Sequence, residues 1–326
     1  MNFHQLQYAI AIARHGLSVT QAASALGTSQ PAISRALKAL EKELGFDLFV
    51  REGRAFARVT PEGARVLEFA GRALAEIESL KAVAADLNQD ARGTLAIATT
   101  HTQARYVLPP VVQAFRKRYP EVDLHLHQGT SEQISEMVAS DRVQLAIATG
   151  SEALFPELVL LPVYRWHRQV IVPRHHPLAR PGAGRLTLQQ LVNFPLVTYV
   201  FSFTGPSSLE TIFAREGLKP RVALTARDSD VIKTYVRLGM GVGIVASVAF
   251  DPQEDQDLVM VDASHLFPIH TTWVGFRRGT LLRNFAYEFL QLFGSHLTRR
   301  LVDRAIDARD AESKGQLFSK ITLPVR

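Results

Sequence analysis

Residues 18–45 read Ser-Val-Thr-Gln-Ala-Ala-Ser-Ala-Leu-Gly-Thr-Ser-Gln-Pro-Ala-Ile-Ser-Arg-Ala-Leu-Lys-Ala-Leu-Glu-Lys-Glu-Leu-Gly, and few folds accommodate them. Ser18 is a good N-cap for a first helix whose apolar positions Val19, Ala22, Ala23 and Leu26 recur at helical spacing. Gly27 ends it, because glycine enters the left-handed region without a Cβ clash. Thr28 or Ser29 caps a second helix, and Pro31 falls in its first turn, where a missing N–H loses no partner. Ile33, Leu37, Leu40 and Leu44 make one apolar stripe, with Gln30, Ser34, Arg35 and Lys38 off it. Two short helices across so tight a turn outline a helix-turn-helix reader of a DNA major groove. The competing reading is an ordinary antiparallel helical pair; the tight turn and the placement of the polar face favour the reader. Ser29, Gln30, Ser34, Arg35 and Lys38 are the expected contacts to bases and phosphates.

The flanking segments fit that reading. Asn2 can cap a helix with Phe3, Leu6, Ala9, Ile10 and Ala13 on one face, stopped at Gly16. Residues 46–50 and 57–60 read as two short strands around 51–54, a wing that offers Arg51, Arg54 and Arg58 to phosphates beside the groove. Residues 1–60 hold seven Lys and Arg against four Asp and Glu, about half the net +6 of the 326-residue chain. Thr60-Pro61 then opens a helix running to about Asn88, some 40 Å at ~1.5 Å per residue. Leu67, Ala70, Leu74, Ile77 and Ala84 recur along it, with Lys81 interrupting. So narrow a seam suits a two-stranded coiled coil, which would bring two winged modules to two half-sites. A single helix packed on its own domain is the alternative.

After a hinge at 89–92 the pattern changes to alternating strands and helices, which argues for parallel sheets with right-handed crossovers. Strands are expected at 94–99, 122–127 and 144–148, with helices at 103–119 and 131–140. The pattern repeats with strands at 168–173, 196–199, 222–225 and 242–246 and helices at 187–192, 208–216 and 228–238. A strand at 272–276 and a helix at 282–297 return to the first half. Two α/β lobes follow, one of about 93–164 plus 268–297, the other of about 165–267, with a cleft between them. Thr99-Thr100-His101-Thr102-Gln103 bridges the first strand and its helix, so hydroxyls and unpaired N–H groups converge as an anion or carboxylate seat. Thr149, Phe203-Thr204-Gly205 and Arg227-Asp228 end strands or open helices at the same rim. Any one of them is an ordinary cap; several at one rim are not.

No catalytic set emerges. The absence of Cys excludes disulfides, thiolate metal sites and a thiol switch. The 11 His are scattered and His175-His176 lacks metal-ligand spacing, so no metal or cofactor is expected. There is no phosphate-binding Gly-Lys-Ser/Thr loop and no Gly-x-Ser-x-Gly elbow. Gly239-Met240-Gly241-Val242-Gly243 lies between a helix and a strand, the reverse of a dinucleotide fingerprint, and reads as a tight turn. With no signal-peptide pattern and no membrane-length apolar run, a cytoplasmic location without a membrane partner is the default. A transport-type binding protein is disfavoured by the missing leader and the N-terminal reader. An enzyme with a fused DNA-binding head is disfavoured by the empty search for catalytic groups.

Ser29-Gln30-Pro31-Ala32-Ile33-Ser34, Leu40-Glu41-x-Glu43-Leu44-Gly45-x-x-Leu48-Phe49-x-Arg51 and Thr60-Pro61-x-Gly63 together resemble the LysR-type transcriptional regulators, over nearly the whole chain. Within them, residues 99–106, Thr198-Tyr199 with Phe203-Thr204-Gly205, and 230–239 resemble the CysB/Cbl-like subgroup. The resemblance implies an all-α winged helix-turn-helix domain (1–60), a linker and dimerisation helix (61–88), and a two-lobed, periplasmic-binding-protein-like effector domain (93–326). It implies a homotetramer, a dimer of dimers, that binds promoter DNA and activates genes of sulfur assimilation and cysteine biosynthesis, with RNA polymerase as a further partner. Acetylserine-type inducers would be opposed by sulfate, thiosulfate or adenylylsulfate; control of sulfonate or sulfate-ester use is the alternative within the family. Thr100, Thr102, Gln103, Thr149 and Thr204 are then expected to line the effector pocket. Two departures stand out: Pro206 where the subgroup usually carries Arg, and Arg227 where it carries a small or polar residue. One guanidinium is lost and another gained near one rim, so Arg227 joins the expected set.

Overall fold

Polar caps start the helices of the N-terminal segment. Helix α1 (Phe3–Arg14) opens on a reciprocal capping box between Asn2 and Gln5, α2 (Val19–Ala25) on Ser18, and α3 (Gln30–Leu44) on Ser29. Gly27 at φ +60° turns the chain between α2 and α3, and Gly45 at φ +82° closes α3. The stripe Ile33, Leu37 and Leu40 is buried against Ala9, Ile12, Ala22, Leu48 and Phe49. The computed structural model describes every residue except 54, 89–90, 151, 153–154, 156–157, 181–183, 204–207 and 309.

The wing is shifted from its expected place. Strands β1 (Phe49–Glu52) and β2 (Ala55–Val59) pair antiparallel, so Arg51 stands in a strand and residues 46–48 do not. Glu41 accounts for the shift. Buried at the end of α3, it accepts the Leu48 N–H at 2.9 Å, and Leu48 is drawn into the core instead of a ladder. Thr60 then caps α4 (Pro61–Leu87), accepting the Gly63 N–H at 2.8 Å. A Cβ on Gly63 would lie 2.2 Å from the Leu48 carbonyl oxygen, so only glycine lets α4 start against the wing. Leu67 and Ala70 of the expected seam are used within this unit, where α1 packs on α4. The apolar side chains left exposed, Phe69, Leu80, Val83 and Leu87, lie on an offset face.

Residues 1–90 form one compact unit and 91–326 another. The second unit begins with β3 (Gly93–Thr99), α5 (Leu108–Arg118), β4 (Val122–Gln128), α6 (Ser131–Ala139), β5 (Leu145–Thr149) and β6 (Leu158–Trp166). The chain then crosses into β7 (Arg168–Pro173), α7 (Leu188–Leu191), β8 (Leu196–Tyr199), α8 (Leu209–Arg215) and β9 (Val222–Ala226). The same lobe continues with α9 (Ser229–Arg237), β10 (Val242–Ala246) and β11 (Leu258–Val261). Return strand β12 (His270–Arg277), α10 (Asn284–Phe293), α11 (Arg299–Asp307) and α12 (Ala311–Phe318) complete it. The sheet orders are β4-β3-β5-β12-β6 and β11-β7-β10-β8-β9.

Both sheets are mixed where all-parallel ones were expected: β12 runs antiparallel to β5 and β6, and β7 to β10 and β11. Neither β6 nor β11 was expected. Strand β6 is buried almost throughout, so it carries no alternation, and Pro162 argues against a strand. It is tolerated because β6 lies at a sheet edge and the ladder to β12 shifts register beside it. The helix expected over 103–119 is also broken: a π-turn over Gln103–Val107 precedes α5. Pro109 and Pro110 cannot donate N–H bonds and would clash with the preceding turn, which the wider π geometry relieves. The helix expected over 282–297 ends at Phe293, followed by Gly294, and Thr298 caps a new one. Among the described residues no helix is long and apolar enough to cross a membrane.

Candidate functional site

The outer face of α3 carries the first constellation. Ser29 is spent partly as the cap of α3, accepting the Ala32 N–H, while Gln30, Arg35 and Lys38 are exposed and Ser34 is half-buried. Arg51 is exposed on β1, its guanidinium 4.6 Å from the ring centroid of its cross-strand neighbour Phe56. That stacking holds the charge on one face of the wing. Arg54 lies outside the described residues, and Arg58 is exposed on β2. A shallow depression between α3 and the wing is lined by Lys38, Lys42 and Arg51, with Glu41 and Asp47 beside them.

The second constellation lies between the lobes, where two helix N-termini meet. Residues 101–107 begin a helix whose Ala104 N–H reaches back to the Thr100 carbonyl, leaving the first-turn N–H groups without intrahelical partners. Across from it, α9 starts on Asp228, which caps the Val231 N–H at 2.9 Å. Thr102 Oγ1 and Ser229 Oγ are 3.4 Å apart, and His101 Nε2 hydrogen-bonds with Asp230 Oδ2 at 2.8 Å. The Tyr106 hydroxyl donates to Asp230 and accepts from Lys233 Nζ at 3.0 Å. Burial and the Asp230 contact raise its pKa, so the phenol remains a donor.

Gln103 and Thr149 are brought together, though not as free ligands. Gln103 is buried; it accepts the Tyr164 hydroxyl at 2.7 Å and donates to Thr272, whose Oγ1 lies 3.2 Å from that of Thr149. Thr100 is half-buried at the end of β3, and Thr204 lies outside the described residues. Arg227 is exposed immediately before the cap of α9. On the second lobe, the buried Tyr199 hydroxyl accepts the Ala246 N–H at 3.1 Å and shares a hydrogen with Ser229 Oγ at 2.7 Å. The buried Thr99 Oγ1 has no hydrogen-bond partner among the described residues. Tyr164, Thr272, Tyr199, Ser229 and Lys233 were not expected, because their partners lie far along the chain. Only Thr198-Tyr199 and the run from Asp230 to Gly239 drew attention, for their resemblance.

His101, Asp228 and Asp230 place three ligand-type atoms within 4.8 Å of one another. Two of these groups already bond each other and the third caps α9, so the arrangement is accounted for without an ion. His176 accepts the Leu178 N–H and packs on Phe194, a loop-capping role. Gly239 at φ +75° and Gly241, whose Cβ would lie 2.2 Å from the Pro195 carbonyl oxygen, form the tight turn before β10.

Two families match the chain: "Bacterial regulatory helix-turn-helix protein, lysR family" over residues 3–64 and "LysR substrate binding domain" over residues 88–298. The HTH-type transcriptional regulator CysB of Haemophilus influenzae is 46% identical over 326 residues, covering 100% of both chains. The HTH-type transcriptional regulator cbl of Escherichia coli K12 is 41% identical over 306 residues, covering 94% of this chain and 96% of that one. The crystal structure of the cofactor-binding domain of the Cbl transcriptional regulator superposes with a TM-score of 0.62 at 43% identity, covering 67% of this chain and 94% of that one.

Proposed function

This chain belongs to the LysR family of helix-turn-helix transcriptional regulators, and from that premise we propose that it activates genes of sulfur assimilation and cysteine biosynthesis. It is an oligomeric DNA-binding regulator, not an enzyme. A small anionic or zwitterionic effector of the sulfur pathway binds between the lobes: an acetylserine as inducer, or sulfate, thiosulfate or adenylylsulfate as its opponent. One observation carries this reading, the convergence of two helix N-termini at Thr102 and Ser229, from opposite lobes. Two positive dipole ends with hydroxyls, and the exposed Arg227 just before the cap of α9, favour a small oxyanion or carboxylate. Thr100, Thr102, Gln103, Thr149, Thr204 and Arg227 are its proposed contacts, with Gln103 and Thr149 acting from the hydroxyl and amide network behind the seat.

The switch follows from the cross-lobe contacts. His101, Thr102 and Tyr106 on one lobe bond Ser229, Asp230 and Lys233 on the other, so an effector that prefers one lobe spacing shifts that spacing. Exposed Phe69, Leu80, Val83 and Leu87 on α4 offer the apolar face for a partner helix. Dimers so formed pair into a tetramer, and two reader modules face two half-sites. RNA polymerase is the further partner of an activator.

DNA recognition is assigned to Ser29, Gln30, Ser34, Arg35 and Lys38 on α3, and to Arg51 and Arg54 of the wing. Arg35→Ala is expected to weaken binding to sulfur-gene promoter fragments about tenfold, and to leave effector binding unchanged, as read by fluorescence anisotropy. Equal loss of both activities would mean unfolding instead. Thr102→Ala is expected to weaken the effector response about tenfold without lowering DNA affinity in the absence of ligand. A Thr102→Ala variant that responds like the wild type would remove the seat from between the lobes. Promoter fragments from sulfonate-use genes, bound in preference to cysteine genes, would favour the alternative regulon.

A further inference from the structure

Residues 320–326 follow α12 and return to the junction between the lobes. Strand β6 is the edge of its sheet, and this segment docks on it just before the chain crosses at His167. The Arg165 N–H donates to the Pro324 carbonyl at 2.8 Å, and the Arg326 N–H donates to the Arg165 carbonyl at 2.9 Å, with Val325 and Arg165 bridged in parallel. Ser247 comes from the other lobe, directly after β10, and its own N–H donates to the His167 carbonyl at 2.9 Å. Its hydroxyl donates to the main-chain oxygen of Arg326. Arg326 therefore touches Arg165, two residues before the crossing at His167, and Ser247 of the other lobe.

The Arg326 side chain reaches further. Its guanidinium lies 4.8 Å from the Tyr164 ring centroid, and Tyr164 is wholly buried although Arg326 itself is exposed. The Tyr164 hydroxyl is the donor that Gln103 Oε1 accepts. Burial raises the Tyr164 pKa, so the phenol keeps its proton and remains a donor to Gln103. A ring free to tilt would release the Gln103 carbonyl, and with it the amide direction that places Nε2 toward Thr272.

We propose that residues 320–326 form a strap across the junction of the lobes, and that Arg326 is a positioning residue for the interlobe seat, acting through Tyr164 on the Gln103 amide. The inference rests on reading that seat as the effector site. It accounts for a segment outside both sheets whose contacts gather at one point: the edge of β6, Ser247 and the Tyr164 ring.

The test uses the full chain, titrated with O-acetylserine, N-acetylserine, sulfate, thiosulfate and adenylylsulfate. Arg326→Ala is expected to weaken the compound that binds about two- to fivefold, the range of a partly exposed cation–π contact. Arg326→Lys should restore most of that loss, and the melting temperature should not move. In a Tyr164→Phe background, Arg326→Ala should have no further effect. Wild-type affinity in Arg326→Ala, failure of the lysine variant to rescue, or an equal loss in the Tyr164→Phe background would each overturn the positioning role. Hydrogen exchange of the ligand-free protein separates this inference from the effector reading. Arg326→Ala should speed exchange at 101–107 and 164–167, and unchanged exchange overturns the strap. A wild-type chain silent toward all five compounds overturns only the effector reading.

Discussion

Replacing Lys233 with methionine is expected to destabilise the 91–326 unit by about 3–5 kcal/mol. Lys233 Nζ lies 2.6 Å from Asp255 Oδ2, and both side chains are only 3% exposed. Asp255 also accepts the Asp251 N–H at 2.9 Å and Arg237 Nη2 at 2.8 Å. Removing the ammonium leaves a carboxylate in a dry site with only its partly exposed arginine for charge balance, so the loss should fall toward the lower end of that range. Urea unfolding followed by circular dichroism reads it directly. Lys233→Met combined with Asp255→Leu should recover much of the stability, because no unpaired charge remains buried. A single variant as stable as the wild type would mean that the pair contributes nothing.

The same pair sets an acid limit. Burial alone would raise the Asp255 pKa, but the hydrogen bonds from Lys233, the Asp251 N–H and Arg237 outweigh it and hold the carboxyl below its ordinary 3.8. A group depressed on folding stabilises the native state above its unfolded value, and that contribution is lost as pH falls through the folded one. Wild-type stability should therefore fall on acidification below about pH 4, with a shallower fall in the double variant. Because Lys233 also donates to Tyr106 on the opposite lobe, Lys233→Met should additionally loosen the cross-lobe contact.

Leu37→Ala is expected to cost about 2–5 kcal/mol, enough to unfold most of a small domain and abolish DNA binding. Leu37 is wholly buried between α1, α2 and the wing, where Ile12, Ala22, Ile33 and Leu48 enclose it. The 91–326 unit has its own cores, so its melting transition and its effector binding should persist. A variant that keeps its DNA affinity would show that the site collapses without penalty. Loss of both transitions together would show that the units do not fold independently.

The reader was legible in the sequence because its signals are local. Ser18, Ser29, Gly27 and Gly45 act within one turn of their own positions, and the stripe of α3 needs only helical periodicity. The wing slipped by a few residues because Glu41 captures Leu48, a long side chain acting across a turn that no propensity records. Strand β6 escaped notice because burial on both faces erases alternation and Pro162 speaks against a strand in isolation. On α4 the spacing identified an apolar stripe, but packing against α1 took its start and left an offset face exposed.

The interlobe seat was legible only by halves. Thr102 and Gln103 stand at a helix start, where hydroxyl and amide side chains attract attention on their own. Their partners do not: Tyr164 and Thr272 lie 61 and 169 positions from Gln103, and Ser229 lies 127 from Thr102. Pairings at such separations depend on which lobe each strand joins and on the crossover at His167, and periodicity carries neither. Arg326 is the extreme case, a residue from the far end of the sequence stacked on a tyrosine behind the seat.

Calorimetric titration of the full chain with O-acetylserine, N-acetylserine, sulfate, thiosulfate and adenylylsulfate tests the regulatory reading most directly. Saturable binding of an acetylserine or a sulfur oxyanion is expected, with one seat between the lobes of each chain, and Thr102→Ala should weaken it. Folded protein that binds none of the five would contradict control by a sulfur-pathway effector, and the family's DNA-binding role would then be switched by a different anion.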